Sequence, residues 1–426
     1  MPRHDARYMK STPSAIGALL LAALSLPGTG RAEFTVHEWG TFTILHDSTG
    51  TALKWYLSSY DQHALPGFVH QAGAGGSARF MKATTPEGFA TARMETPVVY
   101  FYPDDEMNIS VSASLPAGRL TEWFPDALRA GNPLLPGNTL QWIGRLLPPS
   151  SPLAADIPRT KDSAGLHYDA ARAVPDAWIY RSSLPNPEPR LDPKDPTKTL
   201  PRVPELDRVL FYRGAADFGA PLIVSTADDR VFALSNVCGN PISAAFAVQA
   251  TAQGIAWARV DGIQPVQWVD GKQLNVKNFT FPDARPREES IAALRKAVTE
   301  TLVTEGLTPA EAAAMVETWK DLWFAEAGTR ILSVLPEEWV AGTVPLSINP
   351  VPAKMDRVYV LRSEILTKAR EEGLADLLAG SGDPATDTAR FKALELGRFM
   401  HGALPRAKSI LSSRQDARFY TWLNGK

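Results

Sequence analysis

The 426-residue chain carries 44 basic and 46 acidic side chains, a net charge of -2, and no basic block. A mildly acidic chain of that kind lacks the electrostatic footprint of a nucleic-acid or anionic-lipid binder. Cys238 is the single cysteine, which excludes an intrachain disulfide and leaves stability to burial, and the length suffices for two or three domains.

Arg3, Arg7 and Lys10 precede an apolar run over residues 15–26, and small residues at Gly30 and Ala32 follow. This three-part pattern is that of a signal peptide over residues 1–32, cut after Ala32, and places the protein in the periplasm or outside the cell. A retained anchor is the alternative, and Pro27-Gly28-Thr29-Gly30 opposes it by breaking a helix where an anchor would continue. Cleavage leaves 394 residues with 40 basic against 45 acidic side chains. No later stretch reaches the roughly 20 apolar residues of a spanning helix, so no integral membrane segment is expected after cleavage.

Residues 33–182 read as a β-rich domain. Phe34, Val36, Phe42 and Ile44 alternate with Thr35, Trp39, Thr41 and Thr43, and Pro97-Val98-Val99-Tyr100-Phe101-Tyr102 has high strand preference. Prolines 185, 187, 189, 193, 196, 201 and 204 then mark residues 183–205 as a linker or long loop. Over residues 206–282, strand candidates spaced by ten to twelve residues suggest a small β-sandwich, with Asp228-Asp229-Arg230 turning a hairpin.

In residues 283–426 the period becomes helical. Ile291, Leu294, Val298 and Leu302 share a face, Gly306 is placed to end the helix, and Thr308-Pro309-Ala310-Glu311 has the form of a capping box. The second helix of this hairpin presents Met315, Trp319, Leu322 and Trp323, and Gly328 stops it. Strand candidates at 331–335 and 357–361 and further helical segments follow. The fold class is mainly β (α+β): sandwich-like domains, a helical hairpin and a partly helical C-terminal region.

Candidate chemistry rests on carboxylates held among apolar neighbours. Glu38 shares the strand face of Phe34, Val36, Phe42 and Ile44, where a charge must be paired, hydrogen-bonded, protonated or metal-bound. His37 points the other way, as a base or ligand, and would join Glu38 on one ion only if a bulge at Gly40 re-aimed them. Glu95 leads into an apolar strand with Arg93 on its side. Glu326 follows Trp323 on the apolar helix face, where the wall raises its pKa toward that of a general acid unless Arg330 pairs with it. For Glu38 and Glu95 a structural, arginine-paired role competes with catalysis. HExxH, CxxC, EF-hand and G-x-S-x-G patterns are missing, so the cofactor is unknown and a divalent metal has no strong motif. Ser235 to Pro241 around Cys238 reads as a strand entering a turn, with an inert thiol.

The strings Val36-His37-Glu38-Trp39-Gly40-Thr41-Phe42-Thr43, Arg93-Met94-Glu95-Thr96-Pro97, Leu210-Phe211-Tyr212-Arg213-Gly214 and Trp319-Lys320-Asp321-Leu322-Trp323-Phe324 resemble those of an uncharacterised exported bacterial family with HEWGTFT and METP-type motifs. The resemblance runs from about residue 36 to 364 and implies one architectural unit; it is silent about substrate. Two functions are expected. One is a hydrolase acting on an envelope or environmental polymer through Glu38, Glu95, Glu326 and His37. The other is a non-catalytic envelope binding or assembly protein that recognises a glycan or protein partner.

Overall fold

The computed structural model describes residues 34–56, 65–72, 89–129, 138–160, 166–184, 191–192, 195–199, 204–380 and 383–424. The expected signal peptide and parts of the proline-rich segment lie outside them. The main strands are β1 (Phe34–His46), β2 (Ala92–Pro103), β3 (Met107–Ser114), β4 (Gly118–Phe124), β5 (Thr139–Leu147), β6 (Ile179–Ser182) and β7 (Leu210–Ala216). They continue as β8 (Leu222–Thr226), β9 (Val231–Asn236), β10 (Ile242–Thr251), β11 (Gly254–Ile263), β12 (Gln267–Val269), β13 (Lys272–Leu274) and β14 (Lys277–Thr280). The last are β15 (Gly328–Leu335), β16 (Leu346–Asn349) and β17 (Lys354–Ile365).

One ten-stranded sheet runs in the order β11-β10-β15-β17-β1-β2-β7-β4, extended by short strands at His70–Gln71 and Ala52–Leu53. Its pairings are antiparallel except β1 with β17, which are parallel from Thr35↔Lys354 to His46↔Ile365. Both faces of β1 are covered, which is why its polar residues, including Thr41, Thr43 and Glu38, are buried along with its apolar ones. Gly40 is required here: a Cβ would stand 2.5 Å from the ring of Tyr359 on β17.

The even-numbered side of β1 faces a core shared with two smaller sheets. Phe34, Val36, Phe42 and Ile44 meet Val111, Trp142 and Leu146 from the β6-β5-β3-β16 sheet, and Val224, Phe232 and Leu234 from the β8-β9-β14 sheet. Each such fully buried side chain contributes about 1.5–3 kcal/mol. The opposite side carries Trp39, Val98, Tyr100 and Val360 under two helices, α2 (Arg287–Thr304) and α3 (Pro309–Lys320), which follow the short α1 (Leu166–Ala171). Farther along that side, Leu45 and Trp55 pack on α5 (Lys368–Ala379) and α7 (Met400–Asn424), beyond α4 (Glu337–Thr343) and with α6 (Pro384–Ala393) between them. The protein is therefore mainly β, with a helical hairpin and a partly helical C-terminal region.

The α2–α3 hairpin matches its sequence pattern. Gly306 takes φ +118, and Thr308 and Glu311 close a capping box. Two expectations are corrected. The segments 33–182, 206–282 and 283–426 do not stand apart as domains: β1 pairs with β17 and β2 with β7, so all three contribute to the same sheet, and residues 33–426 form one compact unit. Strand spacing reveals strands but not their partners, and the proposed small sandwich divides, β7, β10 and β11 joining the large sheet while β8, β9 and β14 form another. The proline-rich 183–205 segment includes a hairpin, Leu191–Asp192 with Asp195–Thr199, rather than only extended linker.

Candidate functional site

Glu38 lies on the expected face of β1, fully buried, and is matched by Arg357 at the same register of β17. Arg357 Nε donates to Glu38 Oε2 at 2.6 Å, and the Tyr212 hydroxyl donates to Oε1. Burial, with Glu38 second, drives the Tyr212 and Tyr359 hydroxyls well above the ordinary tyrosine range. Both phenols stay neutral and able to donate.

His37 points to the helical face, away from Glu38. Its Nδ1 lies 2.8 Å from Glu311 Oε2, and its Nε2 lies 3.3 Å from Asp356. Glu311 is completely buried, and besides His37 it accepts from the Tyr102 hydroxyl at 2.5 Å and from the Thr308 N–H at 2.7 Å. The capping carboxylate at the start of α3 is thus also the anchor that docks α3 on β1 and β2. The irregularity near Gly40 does not bring His37 and Glu38 to one ion: the extra residue sits in β2, at Thr96 with φ +52, and β1 keeps its alternation.

That bulge reverses the facing of β2. Met94 before it and Val99 after it both reach the sheet–sheet core, so Arg93 and Glu95 are turned to the helical side. Glu95 accepts from Arg398 Nη1 at 2.7 Å and from Thr43 Oγ1 at 2.8 Å, with Arg93 Nε at 3.5 Å. Burial pushes its carboxyl up, but Arg398, Arg93 and Arg213 together hold it at about 2.

Glu326 is not on the apolar helix face. A π-helical turn over Asp321–Ala325 shifts the register by widening the last turn, and Glu326 follows it in extended conformation. Its carboxylate accepts from Arg362 Nη2 at 2.5 Å, while the expected partner Arg330 donates to Glu364 at 2.9 Å. Arg362 also bonds Glu364, at 2.8 Å. Glu364 is held at about 2, its burial outweighed by Arg330 and Arg362.

Glu38 therefore lies across the sheet from Glu95, and Glu326 joins the helical-side ion cluster through Arg362. All three acids are bonded to arginine. Among the described residues no group of three or more His, Cys, Asp or Glu side chains is placed to hold a metal ion. Cys238 is half-buried, donates to Asn236 Oδ1 at 3.0 Å, and burial raises its pKa. In the sequence Glu311 reads only as a cap, and no local pattern marks Arg357, Arg362, Glu364 or Arg398; Arg357 stands opposite Glu38 at one register, a signal legible only once the parallel β1–β17 pairing is known.

No protein-family model matches the chain, and no curated protein sequence matches it. Among solved structures the chain is similar to "Yeast delta-COP-I mu-homology domain complexed with Dsl1 WxWxV peptide", at 8% identity and a TM-score of 0.27 over 80% of this chain and 100% of that one. A likeness that loose bears on neither activity nor partner.

Proposed function

We propose that the chain is an exported, non-catalytic binding protein of the cell envelope, a member of the family with HEWGTFT and METP-type motifs, whose partner is another protein. The observation that carries this is the arginine bonded to each candidate acid: Arg357 on Glu38, Arg398 on Glu95 and Arg362 on Glu326. A carboxylate whose oxygens are taken up by an arginine is placed for an ion pair rather than for a substrate, which removes the support for acid catalysis on a polymer.

The surface offered to a partner is the β12–β13 hairpin. Trp268 is 69% exposed on one face, and Val269 and Leu274 are 48% and 44% exposed on the other. Apolar side chains on both faces favour a protein that grips the hairpin over a sugar ring stacked on one side.

The test is a turnover screen on envelope and environmental polymers with wild type, Glu38→Gln and Glu326→Gln, alongside cross-linking from position 268 in cells. No turnover, and a cross-linked protein lost in a Val269→Ser, Leu274→Ser variant, is the expected result. Turnover by wild type that either Gln variant abolishes would restore the hydrolase reading and end this one.

A further inference from the structure

Three buried guanidinium nitrogens on the helical side of the sheet lack an acceptor among the described residues: Nη1 of Arg362, and Nε and Nη2 of Arg398. Both side chains are nine-tenths or more buried, at 1% and 8% exposure. Arg362 uses Nε and Nη2 on Glu364 and Glu326, and Arg398 uses Nη1 on Glu95. What remains on Arg398 is the Nε/Nη2 edge, the fork that meets two oxygens of one anion side by side.

The two arginines face a common wall. Their Cζ atoms lie 5.4 and 5.0 Å from the centroid of the Phe399 ring, so both guanidiniums border one side chain, and Arg398 also lies 5.4 Å from the Trp55 ring. Buried donors without acceptors carry their full desolvation penalty, and each calls for an explanation, a bound ion or water among them.

Charge points the same way. Arg330, Arg362 and Arg398 are matched by Glu364, Glu326 and Glu95, and Arg370 adds a fourth guanidinium: the point where a Cβ on Gly328 would stand is 3.4 Å from Arg370 Nη1, 2.8 Å from Arg330 Nη2 and 2.4 Å from Glu364. With Arg93 3.5 Å from Glu95 as well, guanidinium groups outnumber carboxylates among these named side chains. Arg330 is drawn below its ordinary pKa by burial and by Arg362, in spite of Glu364. Glu326, with 26% of its side chain exposed, is the rim of the cluster.

We propose that this cluster binds a small oxyanion, a phosphate, sulfate or carboxylate group, held by the Nε/Nη2 fork of Arg398 and by Nη1 of Arg362, with Glu326 as a competing carboxylate at its mouth. This site is independent of the hairpin surface and of the protein-partner reading.

The test is calorimetric titration of the full mature chain at neutral pH and low ionic strength with inorganic phosphate, sulfate and acetate, against chloride at matched ionic strength. Saturable binding of at least one oxyanion is expected. Phosphate or sulfate binding without acetate identifies a tetrahedral ligand group, and acetate binding identifies a carboxylate. Arg398→Gln should weaken binding at least tenfold, Arg398→Lys should weaken it too because the fork is lost, and Glu326→Gln should tighten it several-fold. No saturable binding by wild type, or undiminished binding by folded Arg398→Gln, overturns the site. Circular dichroism is recorded first; if Arg398→Gln is unfolded, Glu326→Gln carries the test, and unchanged or weaker affinity in it overturns the proposal.

Discussion

Glu38 and Arg357 stand at one register of the two parallel strands at the centre of the sheet, 319 residues apart in sequence, and close to 2.6 Å inside the core. Removing one member strands the other: Glu38→Ala or Arg357→Ala should each lower stability by about 3–5 kcal/mol. The double replacement by methionine should recover most of that loss. Urea unfolding of the singles and the double checks it, and independent, additive losses would contradict a buried pair.

Acid stability should fall in two windows with different owners. Burial holds the His46 imidazole at about 4 against an ordinary 6.5, so between those values the unfolded chain binds the proton that the native one refuses. Stability is then full above pH 6.5 and declines as pH falls toward 4, by on the order of 3 kcal/mol. A His46→Phe variant should flatten that limb in a pH series of unfolding midpoints.

The second window belongs to Glu95, held at about 2 against an ordinary 4.5. Here the native state keeps its charge after the unfolded chain has lost it, so the contribution is present above pH 4.5 and disappears as pH falls through 2. Glu95→Gln should be less stable than wild type at pH 6, and the two should converge only as pH falls below about 2. A constant difference across that range would place the pair's contribution elsewhere.

Glu311 should matter more than a helix cap. Thr308→Ala removes one capping acceptor and should cost about 1 kcal/mol. Glu311→Ala strips partners from His37, Tyr102 and the Thr308 N–H together, and should cost at least about twice as much, because it leaves buried donors unpaired. Thermal melts of the two variants rank them directly.

Gly328 occupies φ +145, and a methyl there would stand 2.4 Å from Glu364. Gly328→Ala should disturb the Arg330–Glu364 pair and lower stability by about 2 kcal/mol or more. A neutral outcome in denaturant melts would mean that the cluster is looser than its distances.

Local pattern was legible where it depends on neighbours in sequence. The alternation of Phe34, Val36, Phe42 and Ile44 gives the right core face of β1, and the Thr308–Glu311 box gives the right start of α3. The burial of Glu38 and Glu95 was readable too. An arginine-paired role was readable as well, and Arg93 does stand 3.5 Å from Glu95; Arg357 and Arg398 were not, because they arrive from about 300 residues away and no periodicity encodes a long-range partner. Glu326 was misplaced for a different reason: a single widened helical turn rotates everything after it, and nothing in Asp321-Leu322-Trp323-Phe324-Ala325 marks that turn in advance.

The parallel seam between β1 and β17 has a consequence for biogenesis. The earliest described strand receives its companion only after some three hundred further residues have been synthesised, so the middle of the sheet is the last part to close. Until then an apolar ribbon has one edge open, which leaves it exposed to pairing with other chains.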